Sequence, residues 1–285
     1  MLAACDGSDS STPVTPAVTV QLAAATAAGS RAPILPGHVV ALIDTPEGQR
    51  EANALLMPGG EFRMHVHGVG RDAFDSAGSV QLVGHLAASG SHATGAGIVV
   101  GIGCSLLSPN RFCDEVAAWQ LTLDTVSSWV DHGAEGELVI ASSGGELRWS
   151  VDTGYWGGLP YFHRGWSIDG LYRERFAEFS EGDDVLIDVS SDGRVFFQSP
   201  HNGCVGNGLL TPYPKYEGLN VFAAELTIEG CVEVSSHLNR RFEGLSVVEA
   251  STPWDYGSAY HKMWLSTPPG DSIPVAMILM AEWVE

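Results

Sequence analysis

Alternation of apolar and polar residues, broken by glycine turns, constrains this chain more than any other feature. Gly136-Glu137-Leu138-Val139-Ile140-Ala141 alternates up to Gly144-Gly145, and Glu146-Leu147-Arg148-Trp149-Ser150-Val151 alternates after it. A period of two puts every second side chain on one face, so the pair predicts a β-hairpin with one apolar face. Stretches with the 3.6-residue period of a helix are scarce, while glycine (34 residues) and proline (15) are frequent, as many short strands joined by tight turns require. The final stretch, Pro274 to Val284, is apolar nearly throughout and predicts a strand buried on both faces, or one that closes a barrel.

The alternation comes in two similar halves. Ala54-Leu55-Leu56-Met57-Pro58-Gly59-Gly60-Glu61-Phe62-Arg63-Met64 reads as strand, glycine turn, strand, and Val185 to Phe197 repeats it around Asp192-Gly193. Each half then passes through a glycine-rich strand into an alternating one, Trp119 to Leu123 in the first and Ala224 to Ile228 in the second. With 285 residues and 45% hydrophobic content, the chain is long enough for one large all-β domain or two smaller ones. The expectation is an all-β protein of two tandem antiparallel β modules, each a small barrel or sandwich, behind a disordered N-terminal tether. Residues 1–31 form the start and tether, 32–153 the first module, 154–166 an aromatic and glycine-rich connection, and 167–285 the second module. Residues 6–16 are small and polar, with too little apolar surface to offset the entropy of ordering them. Gln21 to Ala28 predicts a short helix that Gly29, Pro33 and Pro36 terminate.

Charge excludes some partners. A formal net charge of -20 repels phosphate backbones and anionic headgroups, so nucleic acid is not an expected partner. No apolar run approaches the roughly 18 residues of a membrane-spanning helix. Five cysteines leave one over: Cys104 and Cys113 are close in sequence, as are Cys204 and Cys231, and Cys5 is the odd residue. In an oxidising compartment the two close pairs would form disulfides, although four cysteines allow three connectivities. Four buried free thiols in a reducing compartment is the other reading. Neither pair has the C-x2-C spacing of a zinc site.

Several stretches together carry a resemblance. Leu2-Ala3-Ala4-Cys5 reads as a lipobox ahead of the Ser/Thr/Pro tether, and the first module ends in Gly145-Glu146-Leu147, Ser150 and Asp152. Asp169-Gly170-Leu171-Tyr172, Asn202-Gly203-Cys204-Val205-Gly206-Asn207-Gly208, Gly230-Cys231 and Phe242-Glu243-Gly244-Leu245 follow in order. The combination resembles a group of uncharacterised proteobacterial cell-envelope lipoproteins with tandem β modules. It implies lipidation at Cys5, a membrane partner through that anchor, and a place in the bacterial cell envelope facing the periplasm or the cell surface. It implies no activity and no catalytic residue, and the Cys104 and Cys113 pair is not a feature of the group. Lipid chains on Cys5 at about 0.8 kcal/mol per buried methylene would anchor the chain stably. An exporter also needs basic and apolar segments ahead of the box, so this reading expects them to be encoded upstream of Leu2. Asp6 resembles the residue that in enteric bacteria favours inner-membrane retention.

Candidate ligand-binding residues remain. His65 and His67 fall on one face of a strand, a spacing that chelates Zn or Cu, with His38, His85 or His92 as a third ligand; the alternative is a solvent-facing pair beside a hairpin. Asp188, Ser190, Asp192 and Gly193 look like half a calcium loop, but its twelfth position is Ser199, and a hairpin turn explains the same residues. Tyr155, Trp156, Tyr161, Phe162 and Trp166 cluster in the connection, and Trp254, Tyr256 and Tyr260 cluster later. Such rings stack on sugars, anchor a protein partner, or pack the seam between modules. Nucleophile elbows, phosphate loops and zinc-protease motifs are absent from the sequence. The favoured function is a binding or scaffolding module with no cofactor and a protein or glycan partner. The alternatives are a glycan hydrolase with two carboxylates about 5 to 10 Å apart, and a metal-handling lipoprotein centred on His65 and His67.

Overall fold

A computed structural model describes residues 34, 37–45, 48–57, 59–66, 79–102, 117–125, 133–142, 145–156, 170–174, 185–200, 202–213, 221–232, 238–250, 259–268 and 275–283. The chain is all-β, as the alternation requires, and its two sheets are antiparallel meanders. In the first, β1 (Gly37–Thr45), β2 (Gly48–Leu56), β3 (Glu61–Val66), β4 (Val80–Ser89), β5 (His92–Gly101), β6 (Ala117–Thr125), β7 (Ala134–Ser142) and β8 (Gly145–Trp156) pair in chain order, and β8 closes on β1. In the second, β9 (Gly170–Glu174), β10 (Leu186–Val189), β11 (Arg194–Ser199), β12 (Cys204–Pro212), β13 (Val221–Glu229), β14 (Arg241–Ala250), β15 (Ala259–Ser266) and β16 (Ala276–Trp283) do the same, and the short β9 joins β10 to β16. Closure leaves the first sheet without a free edge, while in the second the described pairing of β16 with β9 is confined to residues 281–283.

The inward positions of each strand fill the barrels. Phe62, Met64, Leu82, Trp119, Leu138 and Trp149 occupy the first interior, and Ile187, Phe197, Leu226, Phe242, Met263 and Leu279 the second. The last apolar stretch does close a barrel. Met277 and Leu279 point into the second interior, while Ala276, on the outer side of β16, is buried against the first barrel. Tyr155 and Trp156, expected in the connection, instead end β8, paired with Val40 and Val39 of β1. The ladder needs them there to reach past the register shift between Val40 and Leu42.

The two halves correspond strand for strand, β2 with β10 through β8 with β16. Met57 N donates to Glu61 O and Gly60 N to Met57 O in one hairpin; Ser190 N donates to Arg194 O and Gly193 N to Ser190 O in the other. Gly60 and Gly193 have φ of 94° and 82°, which glycine adopts without strain. Leu86 N then donates to Gly60 O, and Leu210 N to Gly193 O. From this anchor the ladders keep step: Phe62, Gly84, Gly97 and Trp119 are successive cross-strand partners, as are Val195, Gly208, Leu226 and Phe242. The hairpins at residues 54–64 and 185–197 are therefore true equivalents. The equivalence drawn between Trp119 to Leu123 and Ala224 to Ile228 is one strand out. Register makes β14, with Phe242 in the place of Trp119, the counterpart of β6; β13 alternates, whereas β14 is apolar on both faces, Phe242 inward and Leu245 and Val247 outward, so alternation picks out the wrong strand.

Candidate functional site

Outward residues are expected to meet water, yet a band of them is buried. Leu55, Met57, Val100 and Ile102 of the first barrel pack with Val221, Leu245, Val247, Trp264 and Ala276 of the second, forming a third apolar cluster that joins the barrels. A bridge between Ile102 and Ala276 links the two backbones. Polar groups are caught in this joint. Arg63 Nη1 donates to Ser266 Oγ across it at 2.8 Å and to Gln81 Oε1 at 3.2 Å. Burial pulls the Arg63 guanidinium down to about 10, a fall that the nearby Glu243 carboxylate opposes. The His38 ring lies 6.0 Å from Trp264.

His65 is also buried on this outer face of the first barrel. It is only 1% exposed, outward on β3 between Asn53 and Gln81, so it is not the solvent-facing residue of a surface pair. His67 lies outside the described residues. The proposed third ligands are held elsewhere: His85 Nε2 is 2.8 Å from Gly59 O, His92 Nδ1 is 3.0 Å from Asp124 Oδ1, and His38 faces Trp264. Among the described residues no three His, Cys, Asp or Glu side chains are grouped as metal ligands. At the calcium-like turn, Asp192 is engaged by its own hairpin. Ser190 Oγ lies 2.5 Å from Asp192 Oδ1, and this bond, with the Arg194 amide, holds the Asp192 carboxyl below the usual carboxylate range.

Cys204 and Cys231 form a disulfide at one end of the second barrel. Cys204 is fully buried, and Asn202 O accepts from Val232 N at 2.9 Å across the same closure. Cys5, Cys104, Cys113, Tyr161, Trp166, Trp254 and Tyr256 lie outside the described residues, as does the predicted helix at 21–28.

Two outer surfaces escaped the sequence reading. On the first barrel, Asp124, Glu135 and Asp152 are successive cross-strand partners, and with Asp44 they line a depression of about 590 Å³. On the second, Phe196 is paired with Asn207, and Val205 and Leu209 flank it diagonally; all three apolar residues are exposed, as is Val232. Only the register brings either set together, since their members come from different strands. No family model matches the chain, and no curated protein is significantly similar to it.

Proposed function

We propose that the chain is a lipid-anchored component of the bacterial cell envelope that binds a protein partner on the outer wall of its second barrel and catalyses no reaction. The observation that carries this reading is the exposed stripe of Val205, Phe196 and Leu209 on β11 and β12, since isolated exposed apolar residues need no explanation but contiguous ones mark contact surfaces. Packed interiors support it, because a barrel filled by Trp119 and Trp149, or by Phe197 and Phe242, has no lumen for a carried ligand. The Cys204–Cys231 disulfide supports an oxidising compartment. Cys5 would carry the anchor.

Replacing Phe196 with a photo-crosslinking residue in the cell-expressed protein tests the contact. A discrete adduct at Phe196, absent when the same residue replaces exposed Arg148, is expected; equal labelling at both sites overturns the stripe as the contact. Palmitate incorporation that persists in Cys5→Ser overturns the anchor. The acidic depression favours a second reading, glycan hydrolysis by neighbouring carboxylates such as Glu135 and Asp152. Turnover of envelope glycans that Glu135→Gln abolishes would establish it in place of the first.

A further inference from the structure

The joint uses unlike walls of the duplicated barrel: β2 to β5 on the first and β13 to β16 on the second. It is therefore a head-to-tail contact, and a repeated head-to-tail contact builds an open stack. Because the barrel is duplicated, the chain also holds an unused copy of each wall. Register identifies the residues there. Val83 and Ile98 also pack against the joint, and the counterparts of Leu55, Val83, Ile98 and Val100 on the second barrel are Asp188, Asn207, Thr227 and Glu229, all exposed. The counterparts of Leu245, Val247 and Trp264 on the first barrel are Thr122, Asp124 and Glu137, again all exposed.

These apolar contacts of the joint are thus replaced by polar or acidic groups on the unused walls, although the second barrel's wall also exposes Phe196, Val205 and Leu209, the counterparts of Arg63, Gln81 and His85. Val221 pairs with Val247 inside the joint, and at the equivalent place His92 bonds Asp124 at 3.0 Å. Trp264 has Ala276 beside it; its counterpart Glu137 takes Arg148 at 3.0 Å. Stacking a second copy would strip water from these groups and bring two acidic walls together, both unfavourable.

We propose that the two unused walls are barrel-docking surfaces closed by charge: each fits the opposite wall of a second copy of this chain, and Asp124, Glu137, Asp188 and Glu229 keep that copy away. The chain is in this sense a stack ended at two barrels. The carboxylates of the first barrel's depression then act in part as a barrier to self-assembly. The Phe196 stripe lies on the unused wall of the second barrel, since Phe196 pairs with both Asp188 and Asn207, so a partner held there would occupy it; self-association of the purified chain tests the inference without that partner.

Two variants of the full chain test it by giving each unused wall the residues of the joint. One carries Thr122→Leu, Asp124→Val and Glu137→Trp; the other carries Asp188→Leu, Asn207→Val, Thr227→Ile and Glu229→Val. In analytical ultracentrifugation each variant alone is expected to stay monomeric, while their mixture forms a one-to-one heterodimer with an association constant about tenfold or more above that of either alone. A mixture of folded variants that remains monomeric overturns the proposal. So does self-association of either variant as strong as that of the mixture, which would be general stickiness, or end-to-end assembly of the unaltered chain. If a full set does not fold, Glu137→Trp mixed with Glu229→Val replaces it, and no heteroassociation there overturns the proposal equally.

Discussion

Ser246 Oγ lies 2.5 Å from Nε2 of His261 inside the second barrel, and neither side chain reaches solvent. Their counterparts in the first barrel are Leu123 and Ala134, both buried and apolar. The second interior therefore carries a polar pair that the same architecture does without.

Burial lowers the His261 imidazole to about 3, because a charged ring cannot be solvated there. Unfolded, the ring titrates near its ordinary 6.5, so between these values the unfolded chain binds the extra proton. Stability contributed by neutral His261 is present above pH 6.5 and is lost as pH falls towards 3, by at most about 1.4 kcal/mol per pH unit. Urea melts at successive pH values should show this slope reduced in Ser246→Leu/His261→Ala, which installs the first barrel's residues. An unchanged slope in the double variant would show that His261 does not contribute to acid sensitivity.

Trp264 is expected to couple the barrels. Its removal as Trp264→Ala empties the centre of the joint, and truncations of this kind cost about 3 to 5 kcal/mol. Calorimetry should then resolve two transitions where the unaltered chain gives one. A single transition at an unchanged temperature would mean that the joint adds nothing to cooperativity.

Gly97 has to lack a side chain. A Cβ there would stand 2.0 Å from Val83 O and 2.8 Å from Trp119 Nε1, which itself donates to Val83 O at 3.2 Å. Gly97→Ala should destabilise by about 1 to 3 kcal/mol, the usual cost of overpacking. Thermal melting is the measurement, and a variant as stable as the parent would contradict the packing of β4 against β5.

The disulfide closes 27 residues of chain. In the chain-entropy model that is worth about 3 to 4 kcal/mol, so Cys204→Ala/Cys231→Ala should unfold at markedly lower urea concentration. Equal midpoints for the two proteins would leave the bond without a stabilising role.

Much of the barrel architecture was legible because its signal is local. The period of two in β7 and β8, and the Asp192-Gly193 turn, are properties of adjacent residues, and they suffice for strands, hairpins and the inward face. The repeat was legible only where its turns were. Beyond the hairpins, Leu226 stands for Gly97 and Phe242 for Trp119, so register and not residue identity preserves the correspondence.

The candidate surfaces were hidden for a related reason. His65 reads as an outward residue of β3, and it is one, but outward does not mean exposed on a strand whose neighbouring Arg63 reaches Ser266 of the second barrel. By itself the sequence determined two antiparallel modules and the faces that fill them, because burial inside a barrel follows from side-chain alternation. Only the tertiary structure decided which outer wall is buried, which carboxylates stand side by side and which wall is left free, because those depend on contacts between residues far apart in the chain.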